Sequence, residues 1–416
     1  MQPLLYLTHR IPFPPDKGDK VRSFHLLQQL ASSFEVHLGT FIDDPADIVH
    51  LDKLNTFCAS VKAVISGAMS MRLRSASGFF SGEALSVSRY RDPGLAAWVG
   101  DAIDRHRISK AVVFSSAMAQ YIPSFDSMRV VVDFVDVDSS KWAQYATARA
   151  WPMSALFARE AKSLLAFERR IARSAHATFF VTPAEAELFR ALAPETSRRL
   201  KSAENGVNAD YFAPSNATPR PFPDDEDAVV FTGAMDYWPN VDAASWFARD
   251  VMPHLLSVRP KARFYVVGRN PSSAVRSLSS LAHVVVTGGV ADVRPYLQHA
   301  RAVVAPLRIA RGIQNKVLEA MSMARPVVTT SSAAAAIAGE AGRHFVVADE
   351  RDAYVEAIDA LMDTAVGNAI GRAARQLVVA RYDWATNLQP ILASLQESPA
   401  GAPPAGATEP ARVAAL

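Results

Sequence analysis

Residues 301–328 read RAVVAPLRIARGIQNKVLEAMSMARPVV, a sequence typical of a buried strand followed by a loop and an amphipathic helix. The apolar run at its beginning predicts the strand. Apolar residues recur at helical spacing after Gly312, and Pro326 ends the predicted helix because proline cannot continue one. Lys316 and Glu319 are three residues apart, so they lie on one face of that helix.

The beginning of this helix is suited to binding a nucleotide diphosphate. Its first backbone N–H groups lack partners within the helix, and the helix dipole is positive at this end. Arg308, Arg311 and Lys316 add positive charge to the same loop. One turn further, an ionised Glu319 can accept two hydrogen bonds from a vicinal diol such as a ribose. The alternative is an ordinary surface ion pair between Lys316 and Glu319, contributing about 0.2–0.5 kcal/mol.

The composition is typical of a globular protein. The chain has 416 residues, of which 50% are hydrophobic, and its net charge of +3 disfavours a role in binding nucleic acid. The single cysteine, Cys58, excludes an intrachain disulfide and a cysteine-cluster metal site. His9 and Arg10 follow a short apolar stretch, which predicts a first strand and no secretory signal. Without a long apolar run, we expect a cytoplasmic protein that contacts a membrane at most peripherally.

Short apolar segments alternate with helical patterns along the chain, which predicts an α/β protein with parallel sheets flanked by helices. The segments form two series, so we expect two doubly wound, Rossmann-like domains at residues 1–204 and 228–380. Residues 205–227 are rich in Asn, Pro and Asp and predict a linker. Residues 398–416 have too little apolar bulk to pack and predict a disordered tail. The predicted strands are 4–8, 36–41, 111–114, 130–134, 177–181, 228–232, 262–267, 283–286, 302–305 and 326–329.

The loop after the first strand of each series is a candidate binding element, because ligands of open α/β sheets bind outside the carboxyl ends of the strands. In the first series this loop and the next helix read HRIPFPPDKGDKVRSFHLLQQL (residues 9–30). Its Gly18, Asp19, Lys20 and Arg22 are candidates for contacting the acceptor side of a substrate or a phosphate. The alternative is a solvated basic turn.

In the second series the corresponding segment reads GAMDYWPNVDAASWF (residues 233–247). Gly233 allows the backbone to approach a ligand closely, and Asn240 or Asp242 is expected to begin the next helix. Arg269, which follows another strand, can meet a phosphate or a base or can be an exposed turn residue. Tyr237 and Trp238 can stack on a base or pack against the domain.

Two carboxylates follow the strand in VVVDFVDVDSS (residues 130–140). Asp136 or Asp138 can orient an acceptor hydroxyl or the transferred sugar, or can cap the following helix. Their D-x-D spacing is weak support for a metal, and we predict no metal site. The standard dinucleotide, P-loop, hydrolase and metalloprotease motifs are absent, and we predict no cofactor.

Two further stretches, residues 71–98 and 157–173, combine arginines with apolar or aromatic side chains. Both can meet anionic lipid or a lipid-linked acceptor. The alternative is that they form ordinary helices that pack on the N-terminal sheet.

The chain resembles retaining glycosyltransferases of the GT-B fold, the large family 4 group, and more closely the sugar transferases associated with bacterial PEP-CTERM/exosortase exopolysaccharide loci. The resemblance runs from about residue 4 to residue 395. The segments that carry it are THRIPFPPDKGDKVRSFHLL, VVDFVDVDSSKWAQYA, NGVNADYF, FTGAMDYWPNVDAASWF and PLRIARGIQNKVLEAMSMARPVV.

The resemblance implies two Rossmann-like domains that face a cleft, with the acceptor bound mainly by the first and a nucleotide-sugar donor by the second. It also implies that a last helix within residues 381–397 crosses back to the first domain. Glu319 matches the second glutamate of the family's E-x7-E pair, which holds the ribose, and Lys316 matches a phosphate-contacting cation. The segment between Gly312 and Glu319 is therefore expected to contact the donor, including Ile313, Gln314 and Asn315.

Two family features are absent from this sequence. Arg311 replaces the first glutamate of the pair, which usually contacts the donor sugar. The Arg-x4-Lys phosphate pair after the first donor-domain strand is also missing, so we expect Arg308, Arg311 or Arg22 to supply its charge.

Together these features predict a metal-independent hexosyltransferase of exopolysaccharide assembly, with Lys316, Arg311 and Asp136 as catalytic residues. The expected acceptor is a glycan linked to polyprenyl diphosphate at the cytoplasmic face of the inner membrane. Three alternatives remain: a nucleotide-sugar epimerase, a non-catalytic nucleotide-sugar-binding protein and, least favoured, a nicotinamide oxidoreductase.

Overall fold

Two parallel β-sheets form the framework of the molecule. The computed structural model describes residues 1–15, 18–67, 82–310 and 312–396. The N-terminal sheet has seven strands and the C-terminal sheet has six. A hydrophobic core lies on each face of each sheet, so the predicted architecture of two doubly wound α/β domains is confirmed.

The N-terminal sheet has the strand order β3-β2-β1-β4-β5-β6-β7, so the chain adds strands first in one direction from β1 and then in the other. The point of reversal lies between β1 and β4, where open sheets form a crevice at their carboxyl edge. The strands are β1 (Gln2–Thr8), β2 (Phe34–Ile42), β3 (Ser60–Ile65), β4 (Lys110–Phe114), β5 (Arg129–Val135), β6 (Ala177–Phe180) and β7 (Leu200–Ser202).

Seven described α-helices accompany this sheet. The stretch 157–173 belongs to the longest of them, which buries Leu164 and Ile171, as expected of a helix that packs on the sheet. The stretch 71–98 lies partly outside the described residues. The helices are α1 (Gly18–Ala31), α2 (Leu51–Leu54), α3 (Leu85–Arg89), α4 (Pro93–His106), α5 (Asp138–Thr147), α6 (Met153–Ser174) and α7 (Pro183–Leu192).

The C-terminal sheet has the order β10-β9-β8-β11-β12-β13, with its point of reversal between β8 and β11. Its strands are β8 (Asp227–Thr232), β9 (Ala262–Val267), β10 (Val284–Gly288), β11 (Ala302–Ala305), β12 (Val327–Thr329) and β13 (Val346–Val347). Its helices are α8 (Trp238–Trp246), α9 (Met252–Val258), α10 (Ser273–Arg276), α11 (Arg294–His299), α12 (Asn315–Ser322), α13 (Ser331–Ala334), α14 (Arg351–Leu361) and α15 (Thr364–Arg381).

The last described helix, α16 (Trp384–Gln396), returns to the N-terminal domain. Trp384 stacks on His25 of α1 with 4.7 Å between ring centroids. Leu388 and Ile391 join the core beneath the N-terminal sheet. The expectation of a crossover helix is therefore confirmed.

All ten predicted strands are present, with ends that differ from the prediction by no more than about two residues. The prediction missed β3, β7 and β13, because short edge strands carry partly exposed and polar residues. Within the described residues, none of the helices combines the length and hydropathy needed to span a bilayer.

Candidate functional site

The carboxyl edges of the two sheets approach each other at Asp136 and Gly312. A Cβ atom at Gly312 would lie 3.1 Å from Asp136 Oδ1 and 3.0 Å from a methyl group of Val181. Gly312 also has a positive φ of 60°, which glycine adopts without strain. Glycine at this position therefore permits close contact between the two domains beside the N-terminus of α12.

The α12 N-terminus carries uncapped backbone donors. Gln314 occupies the N-cap position, and its side chain makes no capping hydrogen bond. The N–H group of Val317 donates to the Gln314 carbonyl at 2.9 Å, which leaves the N–H groups of Asn315 and Lys316 to bind an anion. Among the other predicted donor contacts, Ile313 is only 6% exposed and packs into the core, so its side chain does not line the cleft.

Lys316 projects from the first turn of α12 into a desolvated position. Its Nζ donates a hydrogen bond of 2.5 Å to Asn240 Oδ1 and lies 4.5 Å from the centre of the Phe231 ring. Burial lowers the pKa of Lys316 to about 7, although the charge of Glu319 opposes the shift. The amine therefore has a neutral partner and lacks the counter-charge that would hold it protonated.

Glu319 lies one turn further along the same face. Burial raises its pKa to about 7, and the charge of Lys316 only partly offsets that effect. Both side chains are partly buried, and no ion pair joins them among the described residues. The alternative of an ordinary surface ion pair is therefore wrong.

Two glycines bring the neighbouring loops close to Lys316. A Cβ at Gly233, whose φ is +155°, would lie 3.0 Å from Lys316 Nζ, and one at Gly268 would lie 1.6 Å from the Gly233 carbonyl oxygen. Arg269 follows at once, and its carbonyl accepts a hydrogen bond of 2.9 Å from Met235 N–H. Gly233 and Arg269 thus lie at one sheet edge, as predicted.

Asp136 faces this edge from the N-terminal domain. Lys141 Nζ donates to Asp136 Oδ2 at 2.7 Å and to Asp138 Oδ1 at 3.1 Å. The buried Oδ1 of Asp136 has no hydrogen-bond partner among the described residues. Tyr237, across the cleft, has a pKa raised by burial and influenced by the charges of this cluster. One carboxylate oxygen therefore remains available at the domain junction.

Backbone strain occurs at the carboxyl edge of the N-terminal sheet. Val135 and Ser115, at the carboxyl ends of adjacent strands, have positive φ values of 69° and 75°. Such values are unfavourable for non-glycine residues, and above all for a β-branched one, and they concentrate at functional sites. No sequence motif indicated this feature.

The N-terminal loop differs from its prediction. Lys20 Nζ lies 2.6 Å from Asp47 Oδ2, and Arg22 holds both carboxylate oxygens of Asp133 at 2.7 and 3.2 Å. Lys20 is only 1% exposed and Arg22 is fully buried. The structure contradicts a direct phosphate contact by either cation, because their charges are neutralised inside the domain.

Gly18 and Asp19 precede these two cations in the same segment. Gly18 is the first residue of α1, and a Cβ atom at this position would meet open space. Asp19 contacts His9 and Arg10, whose interactions lower its pKa although burial acts in the opposite direction. Asp19 therefore holds His9 and Arg10 at the start of the loop that follows β1.

In the C-terminal domain, Arg308 forms a two-pronged ion pair with Asp242, and its side chain is half exposed, so its contact with a phosphate stays a prediction. Helix α8 begins at Trp238 and not at Asn240 or Asp242, because Pro239 suits the first turn of a helix. Asn240 instead holds Lys316, a role that sequence reasoning missed. Arg311 lies outside the described residues, and its role stays a prediction.

Asn205 connects this site to the N-terminal core. Its Oδ1 accepts a hydrogen bond of 3.0 Å from Arg22, and its Nδ2 donates one of 3.0 Å to Asn315 Oδ1 at the start of α12. Asn387 of the crossover helix donates to its carbonyl at 2.9 Å. Arg22 therefore contributes indirectly, by fixing the segment that positions α12.

The two sheets, the cleft and the crossover helix define the GT-B fold. Solved structures with this overall fold include sucrose-phosphate synthase from Thermosynechococcus elongatus, with 16% identity, a TM-score of 0.71 and coverage of 95% of this chain and 99% of that one. Anabaena HepE, solved in complex with UDP and glucose, has 15% identity, a TM-score of 0.67 and coverage of 95% and 99%. WaaG, a glycosyltransferase involved in lipopolysaccharide biosynthesis, has 15% identity, a TM-score of 0.61 and coverage of 93% and 99%.

A more particular match concerns the C-terminal domain alone. Residues 226–364 match the family model described as glycosyl transferases group 1. This region contains β8 to β13 and the α12 site. No curated protein matches the chain.

Proposed function

We propose that this protein is a retaining, metal-independent hexosyltransferase that moves a sugar from a nucleotide-diphosphate sugar to a hydroxyl of a glycan. The observation that carries the proposal is the pair formed by Lys316 and Glu319, desolvated and without an ion pair at the uncapped start of α12. The match of residues 226–364 to group 1 glycosyl transferases supports the reaction class.

The donor's two recognition groups fit the two side chains. A diphosphate supplies the negative charge that Lys316 lacks and accepts hydrogen bonds from the first-turn N–H groups of α12. Glu319, when ionised, accepts hydrogen bonds from the ribose hydroxyls. Because HepE was solved with UDP and glucose, a UDP-hexose is the first donor to test.

Transfer with retention requires the sugar–phosphate bond to break with its electron pair left on the diphosphate, while the acceptor oxygen bonds to the anomeric carbon on the same face and passes its proton to the departing diphosphate oxygen. Lys316 and the α12 dipole would stabilise the departing diphosphate without reorganisation. Closure of the cleft would exclude water that hydrolyses the donor. Arg311 is a third candidate for this charge.

Asp136 is placed to orient the acceptor hydroxyl or the transferred sugar. Its Oδ2 is held by Lys141, and its Oδ1 points to the domain junction beside Gly312. Lys141 Nζ donates to both Asp136 and Asp138, so both carboxylates have a cationic partner.

We further propose an acceptor glycan linked to polyprenyl diphosphate, in bacterial exopolysaccharide assembly at the cytoplasmic face of the inner membrane. The support is the resemblance to exopolysaccharide-associated transferases and the basic, amphipathic side of α6. WaaG, of similar fold, is itself named for a role in lipopolysaccharide biosynthesis.

A thermal-shift panel of UDP-, GDP-, ADP- and dTDP-sugars tests the donor class, because a ligand that binds only the folded state raises the Tm by mass action. We expect one nucleotide to stabilise the protein selectively and Glu319→Ala to weaken its binding in calorimetry. Stabilisation by none of them, or an unchanged affinity in Glu319→Ala, would contradict the proposal. Product analysis without an acceptor distinguishes an epimerase, which would convert the donor sugar by itself.

A further inference from the structure

A group of three potential metal ligands lies at the amino end of β2, at the edge of the sheet opposite the cleft. Glu35 and His37 are two residues apart on this strand and therefore point to the same face. The face is the one covered by α4, because a Cβ at Gly39 would contact Leu95 and Trp98 of that helix.

Helix α4 brings the third ligand to the same place. The residues that α4 buries are Leu95, Val99 and Ala102. His106 continues this stripe by four residues, at the last turn of the helix. The apolar stripe of α4 thus ends in an imidazole that lies over the imidazole of His37, with 4.2 Å between ring centroids.

The three side chains converge closely enough to share one ion. The ligand atoms of Glu35, His37 and His106 all lie within 4.8 Å of one another, and His37 Nε2 is 3.8 Å from Glu35 Oε1. Ligands at 2.0–2.1 Å from a tetrahedral ion are about 3.4 Å apart. Glu35 and His106 are exposed, so small rotamer changes can close the remaining difference.

His37 is already oriented as a metal ligand. Its side chain is 1% exposed, and its Nδ1 is 2.8 Å from the hydroxyl oxygen of Ser60, its register partner on β3. Its buried Nε2, directed at the other two residues, has no hydrogen-bond partner among the described residues. A hydrogen bond at one ring nitrogen that leaves the other for the ion is the usual outer-shell arrangement of metal-bound histidine.

We propose that Glu35, His37 and His106 bind a divalent transition metal ion of the zinc type, with water as the fourth ligand. Two imidazoles and one carboxylate suit zinc and its neighbours, whereas magnesium and calcium prefer oxygen ligands. The ion would tie the start of β2 to the end of α4. The site is remote from the cleft and is independent of the proposed transferase activity.

Calorimetric titration of the tag-free, EDTA-treated protein with Zn²⁺ tests the site. We expect one ion per chain, and His106→Gln to remove this binding without loss of fold because His106 is exposed. Ser60→Ala, which removes only the outer-shell partner of His37, should weaken binding roughly 10- to 100-fold. His254→Gln, at another exposed histidine, is the matched control and should bind as the parent does.

A Co²⁺ titration supplies a spectroscopic readout, since a four-coordinate ion gives strong visible absorption. The band should appear with the parent and the His254→Gln protein and be missing with His106→Gln. Absence of stoichiometric Zn²⁺ binding by the parent, or equal binding by His106→Gln, would overturn the assignment. Nucleotide-sugar binding should be the same in His106→Gln and the parent, so the two proposals fail or hold separately.

Discussion

The N-terminal segment 18–22 and the donor segment 312–319 have similar sequence signals and different electrostatics. Each follows a strand at the carboxyl edge of a sheet, with a glycine at or shortly before the start of a helix and at least one cation in the first turns of that helix. In the first, Lys20 and Arg22 have carboxylate partners at 2.6 and 2.7 Å. In the second, Lys316 has the neutral amide of Asn240 at 2.5 Å. The cations occupy similar positions, so the charge of the hydrogen-bond partner decides their roles. A cation paired with a carboxylate is structural, whereas one paired with a neutral amide can still bind an anionic ligand.

The difference has an energetic basis. A buried ion pair compensates for the loss of hydration only while both members are present. Lys316 and Glu319 are instead each shifted by burial toward the neutral form. A bound nucleotide diphosphate would supply the missing negative charge. Ligand binding would then stabilise the charged form of Lys316, as the folded structure already stabilises Lys20 and Arg22 through their carboxylate partners.

The largest expected effect concerns the N-terminal pair. Arg22→Met leaves Asp133 buried and without its ion partner, which should lower the free energy of unfolding by roughly 3–5 kcal/mol. Urea denaturation at pH 7 measures this change. The matched substitution Lys316→Met strands no partnered carboxylate at hydrogen-bond distance and should cost much less. Equal losses in the two variants would remove the distinction between the segments.

Turnover should depend more on Lys316 than on Arg22, the reverse of their effects on stability. Lys316→Ala should keep the fold but lower turnover about 10²–10³-fold, because one lost contact to the developing charge costs roughly 2.7–4 kcal/mol. Release of the nucleoside diphosphate from the stabilising donor, in the presence of acceptor, measures this loss. Near-parental turnover would refute the leaving-group role of Lys316.

The range of each interaction explains which parts of the site were predictable. Lys316 and Glu319 belong to one helical turn, so local spacing was enough to place them together. The partners that decide the role of each cation are distant in sequence: Asp133 is 111 residues from Arg22, and Asn240 is 76 residues from Lys316. Strand and helix periodicity carries no information about such pairs.

The fold shows the same division between features set by local sequence and features set by distant contacts. Central strands such as β8 and β11 consist mainly of apolar residues and were predicted closely. The residues of the edge strand β3 are partly buried or exposed, and the positive φ of Val135 depends on tertiary packing. Local pattern therefore predicted the framework, while the strained edge and the hydrogen bonds of Asn205 required the assembled domains.

A smaller effect should appear in the pH dependence of stability. The pKa of Lys316 is lowered to about 7, so above that pH the unfolded state binds a proton that the folded state does not, and stability rises with pH. Lys316→Met removes this term, worth at most about 1.4 kcal/mol per pH unit. The Tm of the ligand-free variant relative to the parent should therefore fall between pH 7 and pH 9. A constant difference would show that Lys316 remains protonated.

The smallest and most selective change converts one kind of site into the other. Asn240→Asp gives Lys316 the carboxylate partner that Lys20 has in Asp47, whereas Asn240→Ala only removes a hydrogen bond. Calorimetry with UDP, or with the nucleoside diphosphate of the donor that the panel selects, should show Asn240→Ala weakened roughly 2- to 10-fold.

At pH 7 Asn240→Asp should bind more weakly than Asn240→Ala, because its carboxylate repels the diphosphate and neutralises the cation that attracts it. Because the pKa of Lys316 is about 7, we expect the affinity of the parent for the nucleotide to fall between pH 7 and pH 9 as the amine loses its proton. The carboxylate of Asn240→Asp raises the pKa of Lys316, so this fall should be smaller in that variant. If Asn240→Asp bound the nucleotide as tightly as the parent, the neutral partner of Lys316 would have no part in recognition. The contrast between the two segments would then be one of packing alone.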